Sequence, residues 1–306
     1  MSRCLVPCIL LLTVAACATR RAPEGAQVKF TSHADARIGT YESKPWGFNT
    51  SSYWIEGPEG LVLIDTQFLP SAAEEFVTWA EAATGKKAVL AIVLHANPDK
   101  FNGTAVLRKR GIRVVTSEQV RALIPGVHEK RKRAFYERYQ PDYPSEASLP
   151  DSFGAATTEL SGGGVTVKAH VLGAGCSEAH VVVEFEGHLF PGDLVTNDAH
   201  SWLEIGKTDE WLQRIAEMKA LKPKFVHPGR GPSSSAGLLD QEETYLRRVI
   251  AEVAAEQPRG ELTEAVKERI KQRIDAAYPG YRYGVFLELG LPAEWARQAR
   301  LAQAAP

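Results

Sequence analysis

The sequence predicts an α/β fold with a helical extension at its C-terminal end. Three observations predict it: strands and helices alternate from Val28 to about Gly231, short apolar runs have the length of buried strands, and from Ala236 onward only helical periodicity remains. The 306 residues, 44% hydrophobic and 24% charged, suffice for one large domain or two small ones. A formal net charge of -1 gives no support for nucleic-acid binding and leaves a small molecule or a protein as partner.

Each element has a local reason. SSYWIEGPEGLVLIDT, residues 51–66, reads as two strands joined by a Gly-Pro-Glu-Gly turn. A helix follows, expected to open with a capping box between Ser71 and Glu74 and to carry Phe76 and Trp79 inward. KKAVLAIVLHAN is a buried strand ending at His95, and GTAVLRKR, IRVVT and SEQVRALI continue as helix, strand and helix. VHEKRKRAFYERYQ, from Val127 to Gln140, reads as a separate basic helix whose cations Lys130 to Arg133 form a solvated face. HVVVEFEGHLFPGDLV is a hairpin turning at Glu186 and Gly187. The helix from Thr208, its expected N-cap, places Trp211, Ile215 and Met218 on one stripe and leads to the strand KFVHPGRG. The extension reads as helices over about 238–255, 262–277 and 292–302, with no long linker before them.

The N-terminal residues read differently. A short positive start and an apolar run from Leu5 to Ala16 end in Val14-Ala15-Ala16-Cys17, which resembles a bacterial lipobox with Cys17 as the lipidated residue. The expected organisation is a signal peptide over 1–16, a polar tether over 17–27, a domain over 28–235 and the extension over 236–306. Alanine after Cys17 points to a periplasm-facing lipoprotein of the outer membrane, held there by its lipid anchor. With Cys4 and Cys8 in the signal, Cys176 is the one thiol of the folded domain.

The chemistry lies in a series of short motifs. VLIDT, then LHANPDKFNG, GAGCSEAHVVV, LFPGDLV and FVHPGRGP follow one another between Asn49 and Pro232. In order and spacing they resemble the metallo-β-lactamase superfamily. The resemblance implies a four-layer αββα sandwich of two mixed β-sheets, with a dinuclear zinc site in loops at one edge. His95, Asp99 and Asp193 stand where that family has ligands; Asn97, Lys100, Cys176 and Arg230 stand where it has histidines. Imidazole, thiolate and carboxylate suit zinc, whereas guanidinium stays protonated and has no lone pair to give. The resemblance also makes Asp65 a support of the metal loop.

These departures define an expectation. Lys100 and Arg230 replace the second ion and neutralise Asp99 and Asp193, leaving an eroded, non-hydrolytic or strongly altered protein. Its cleft is expected to bind a small anionic molecule or an envelope protein, with Lys100 and Arg230 as an anion clamp. The alternative is a hydrolase of an ester, thioester, lactone or amide with one zinc at His95, Cys176 and Asp193, assisted by Asn97, so the cofactor is none or one zinc. A third reading makes Cys176 a nucleophile, its thiolate favoured by Lys100 and Arg230, with His95 or His180 as base, and Asp99 and Cys176 are the candidate catalytic residues. His180, His200, Trp202, His227 and Trp46 are further expected cleft residues, Trp46 and Phe48 at the tip of a hairpin flap.

Overall fold

The computed structural model describes residues 27–30 and 35–304. The lipobox, Cys17 and the segment before Gln27 lie outside the described residues. Seven strands form the first sheet in sequential order: β1 (Gln27–Phe30), β2 (Ile38–Glu42), β3 (Ser51–Glu56), β4 (Leu61–Ile64), β5 (Ala88–Ile92), β6 (Arg113–Thr116) and β7 (Asp151–Ser152). The first four pair antiparallel and the rest parallel. Six strands form the second: β8 (Thr158–Gly162), β9 (Val165–Leu172), β10 (His180–Phe185), β11 (His188–Thr196), β12 (Phe225–Arg230) and β13 (Ser234–Ser235), in the order β13-β12-β11-β10-β9-β8.

The two mixed sheets face each other across a core that joins Leu63 and Ile92 of the first to Val181, Val183 and Phe190 of the second. Helices cover both outer faces, giving the expected αββα layers. Helices α1 (Pro70–Thr84), α2 (Pro98–Phe101), α3 (Thr104–Lys109) and α4 (Glu118–Tyr139) belong to the first half; α5 (Thr208–Ala220) joins β11 to β12. The expected hairpin turn is present, with Phe185 opposite His188 and positive φ at both Glu186 and Gly187.

The helix boundaries differ from expectation at four places. Helix α1 is entered through Leu69 and Pro70; Ser71 donates instead to Asp142 at 2.5 Å and Glu74 pairs with Arg110, so no capping box forms. Lys207, not Thr208, caps α5, because the Thr208 hydroxyl donates to buried Glu294 at 2.7 Å. Helix α4 runs through Pro125 and fuses two expected helices, with Pro125 and Gly126 on its exposed face. In the extension, α6 (Leu238–Ala254) and α7 (Glu264–Ala277) match the periodicity, but α8 (Gly284–Ala304) begins a full two turns before Pro292. That early start carries Phe286 toward the edge where β5, β11 and β12 end. Among the described residues, no helix is long and apolar enough to cross a membrane.

Candidate functional site

Strand ends position His95, Asp193 and Arg230, and a short helix positions Asp99 and Lys100. After β5 the chain continues through Leu94 to His95, and the Leu94 amide donates to Asp65 Oδ1 at 2.9 Å, the loop-supporting bond expected of Asp65. The Leu94 carbonyl accepts from Val181 at 2.6 Å and His95 bridges His180 along the backbone, so the two sheets meet there. The short helix α2 turns Asp99 and Lys100 inward. Asp193 follows Gly192, whose φ is 58°, and Arg230 closes β12. A Cβ on Gly229 would lie 2.0 Å from Asp193 Oδ1, so only glycine lets the two strands bring Asp193 and Arg230 together.

Arg230 bridges the two carboxylates, donating from Nη1 to Asp193 at 2.5 Å and from Nη2 to Asp99 at 2.9 Å. Lys100 Nζ stands 2.9 Å from Asp193 Oδ1, 3.1 Å from Asp99 Oδ2 and 3.7 Å from Asp65. Lys100 is fully buried, and Asp99, Asp193 and Arg230 are nearly so. Burial alone would raise the Asp193 carboxyl, but Arg230 and Lys100 outweigh it and hold it far below the carboxylate range. Asp99 is lowered by the same contest between burial and Lys100 and Arg230. Both cations are raised in turn: burial disfavours their charge, and Asp193 and Asp99 more than restore it. Burial pushes Asp65 up to about 7 against the pull of Lys100.

The donor chemistry decides which half of a dinuclear site these residues fit. At the second position, Lys100 and Arg230 occupy the coordination directions of Asp99 and Asp193, and neither offers a lone pair. At the first position, His95 Nε2 and His180 Nε2 each lie 3.9 Å from Cys176 Sγ, and the three ligand atoms fall within 4.8 Å of one another. That buried set fits a single ion. It differs from the expected one: His180 joins His95 and Cys176, while Asp193, although 3.7 Å from His95, is turned to Arg230 and Lys100. Asn97 Nδ2 is 3.3 Å from His95 Nε2 and lies at the boundary between this set and the cleft.

Two expected roles fail on electrostatics. The Cys176 thiol is not made acidic by Lys100 and Arg230; burial, with Asp193 adding to it, pushes it well above its usual range. His180 and His95 are neutral, burial moving His180 well below and His95 down to about 4. Nor are Lys100 and Arg230 a free anion clamp, since both are directed at Asp99 and Asp193.

Above the ion pairs lies a small cavity of about 50 Å³, lined by Phe48, Phe68, Phe135, Trp202 and Phe286 with Asn97, Pro98, Asp99, Arg131, Asp193 and Arg230. The extension supplies one wall of it through Phe286. The Phe286 ring packs on Trp202 at 4.8 Å and under the Arg230 guanidinium at 5.1 Å. The strap before α8 is tied down on both sides: Tyr283 donates to Asn49, Arg282 N donates to Asp198, and His200 N donates to the Arg282 carbonyl at 2.9 Å.

Of the remaining expected cleft residues, only Trp202 lines the cavity, with Arg131 stacked over it at 5.0 Å and paired to Glu204. Trp46 is half exposed and packs on Tyr139 at 4.5 Å, facing a separate groove of about 700 Å³ between β2 and α1; Phe48 is the flap aromatic that reaches the cleft. His200 is buried under the extension, bonded to Tyr245 at 2.9 Å and facing Asp275 at 3.2 Å. His227 is enclosed between Ser233 at 2.8 Å and His188 at 3.0 Å. Sequence reasoning missed Phe68, Arg131, Phe135 and Phe286. The spacing of Arg131, Phe135 and Tyr139 by four residues, an inward helical stripe, was the available signal for two of them.

A family model described as the metallo-beta-lactamase superfamily matches residues 45–230. Among solved structures, the metallo-beta-lactamase from Pontibacter korlensis is similar at a TM-score of 0.58 and 22% identity, covering 73% of this chain and 99% of that one. FIM-1 from Pseudomonas aeruginosa, in a mono-zinc form, gives 0.54 and 17%, covering 74% and 98%. The metallo beta lactamase from Hirschia baltica gives 0.52 and 17%, covering 72% and 96%. None of the curated proteins matches the sequence. At these identities the likeness to the solved structures is one of fold, and α6 to α8 lie beyond the residues the family model matches.

Proposed function

The chain belongs to the metallo-β-lactamase superfamily, and we propose that within it this protein is a non-hydrolytic member, its second metal exchanged for Lys100 and Arg230 and its cleft kept as a small-ligand pocket. The observation that carries the reading is Arg230, which bridges Asp193 and Asp99 at 2.5 and 2.9 Å where metal would otherwise hold them apart. A water made nucleophilic between two ions needs both ions. Here the second set of directions is filled by side chains that are cationic at every working pH.

The pocket sets the ligand class. Its walls are aromatic, its floor is an internally neutralised ion cluster, and Arg131 on its rim is likewise paired, to Glu204. Apolar walls over a neutralised floor suit an apolar group, and at about 50 Å³ the cavity takes only a small part of a ligand. The lipid anchor at Cys17 and an outer-membrane location facing the periplasm belong to the same proposal and rest on the sequence.

Turnover is the test. With zinc supplied, hydrolysis of ester, thioester, lactone and β-lactam probes should not exceed that of Asp99→Asn or Asp193→Asn protein. Turnover by the unmodified chain that either substitution abolishes would overturn the reading.

A further inference from the structure

We infer that His95 Nε2, Cys176 Sγ and His180 Nε2 form a buried single-ion site for a thiophilic cation, zinc or cuprous copper, whose role is structural. The inference deepens the proposed function. It makes the remaining half of the site a folding element, not a reaction centre.

The ligand set is one thiol and two imidazoles, the softness that selects zinc and cuprous copper over calcium, magnesium or manganese. The observed sulfur to nitrogen distances of 3.9 Å exceed by a few tenths of an ångström the roughly 3.5 Å that nitrogen and sulfur subtend at a shared zinc ion, given bonds of about 2.0 and 2.3 Å. The two nitrogens, within 4.8 Å of each other, close toward the roughly 3.3 Å that two imidazoles subtend at one zinc, so seating the ion draws the His95 and His180 rings together. All three residues are at most 2% exposed. A side chain at Gly175 would crowd this space, because a Cβ there would come within 3.3 Å of His180 Nε2.

His180 is the unexpected ligand. It is four residues beyond Cys176 and outside the histidine positions of the family pattern, and it reaches the sulfur because β10 begins at His180, directly across the bridge from His95. Its Nε2 stands 3.1 Å from both the Ser177 amide and the Ser177 carbonyl, so metal binding gives up those contacts for the cation. The Cys176 S–H bond breaks as the sulfur–metal bond forms, and the proton leaves to solvent.

The site is separated from the cleft. None of the three residues lines the cavity; Asn97 and Asp193, which do, lie 3.3 and 3.7 Å from His95 Nε2. An ion held by three buried side chains, none of which lines the cleft, is assigned a structural role.

Cobalt(II) as a zinc surrogate tests this on the full chain, reduced and stripped of metal. One equivalent should give a near-ultraviolet thiolate-to-cobalt charge-transfer band and an intense tetrahedral visible spectrum. The band should vanish in Cys176→Ser. Affinity should fall at least tenfold in His180→Gln and less than threefold in Asp193→Asn. Zinc should displace cobalt and raise the wild-type Tm, a readout that needs no variant, and competition with a cuprous chelator shows which cation binds tighter. No thiolate band at tenfold excess cobalt, or a band that needs Asp193 and not His180, overturns the inference. Absence of the band leaves the non-hydrolytic reading standing; only turnover removes that.

Discussion

Arg230→Ala is the perturbation that bears hardest on the ion-pair network. In the native protein Arg230 bonds Asp193 at 2.5 Å, Asp99 at 2.9 Å and the Phe48 carbonyl at 3.3 Å, at a site where it is 4% exposed. Truncation leaves two buried carboxylates sharing Lys100. Breaking a buried pair by removing one partner costs about 3–5 kcal/mol, because the remaining charge has no water to return to. For a chain of this size that is a fall in Tm of roughly 6–15 °C. The pH dependence has a definite sign. Asp193 and Asp99 have folded values below their unfolded ones, so the stability they contribute is present above the unfolded value of 3.8 and is lost as pH falls through the lowered values. The deficit of the variant should therefore be full at pH 7 and shrink below about pH 4 as its under-compensated carboxylates take up protons. Urea unfolding of both proteins from about pH 2.5 to 8 measures this. A deficit under about 1 kcal/mol at pH 7, or one that does not change with pH, would refute the account of the network.

Three other outcomes follow from the same geometry. Glu242 accepts from Thr196 N and Ser201 inside the second half, and burial raises it from 4.5 to about 7 despite those bonds. Its folded value is the higher one, so stability is greatest below 4.5 and is lost as pH rises through about 7; Glu242→Gln should gain about 2–3 kcal/mol over wild type between pH 5 and pH 8 by denaturant titration. Gly229→Ala places a methyl 2.0 Å from Asp193 Oδ1 and 2.7 Å from the Gly192 carbonyl carbon, so it should lose at least about 2 kcal/mol, seen as a lowered urea midpoint. Phe286→Ala removes the lid ring that packs on Trp202; it should cost about 2–4 kcal/mol and let an apolar fluorescent probe reach the cleft, whereas unchanged probe binding would mean that α8 does not close it.

Legibility in the sequence followed the range of the interactions. The strand ends and their order were readable because period-two and apolar runs are local, and His95, Asp99, Asp193 and Arg230 each sit in a short motif at such an end. Pairing of Lys100 and Arg230 with the two carboxylates was readable from charge alone: two acids without a metal need cations. His180 as partner of Cys176 was not, because it depends on the turn in which Gly175 N donates to Ser177 O at 2.8 Å. The lid was hidden for a different reason. Proline favours a first helical turn, so Pro292 marked the expected start of α8, yet the helix runs through it and its earlier turns deliver Phe286 to the cleft. His200 and His227 were drawn to the cleft by their motifs, whereas Tyr245 and Asp275 hold the first and Ser233 and His188 the second elsewhere.

The central claim is that Lys100 and Arg230 occupy the place of an ion, and metal stoichiometry in a restored site tests it most directly. Elemental analysis of the wild type and of the Lys100→His, Arg230→His double variant, each dialysed against excess zinc, gives the count of ions per chain. The account predicts at most one ion in the wild type and one more in the double variant. A wild-type chain holding two zinc ions, or a double variant holding no more than the wild type, would contradict it.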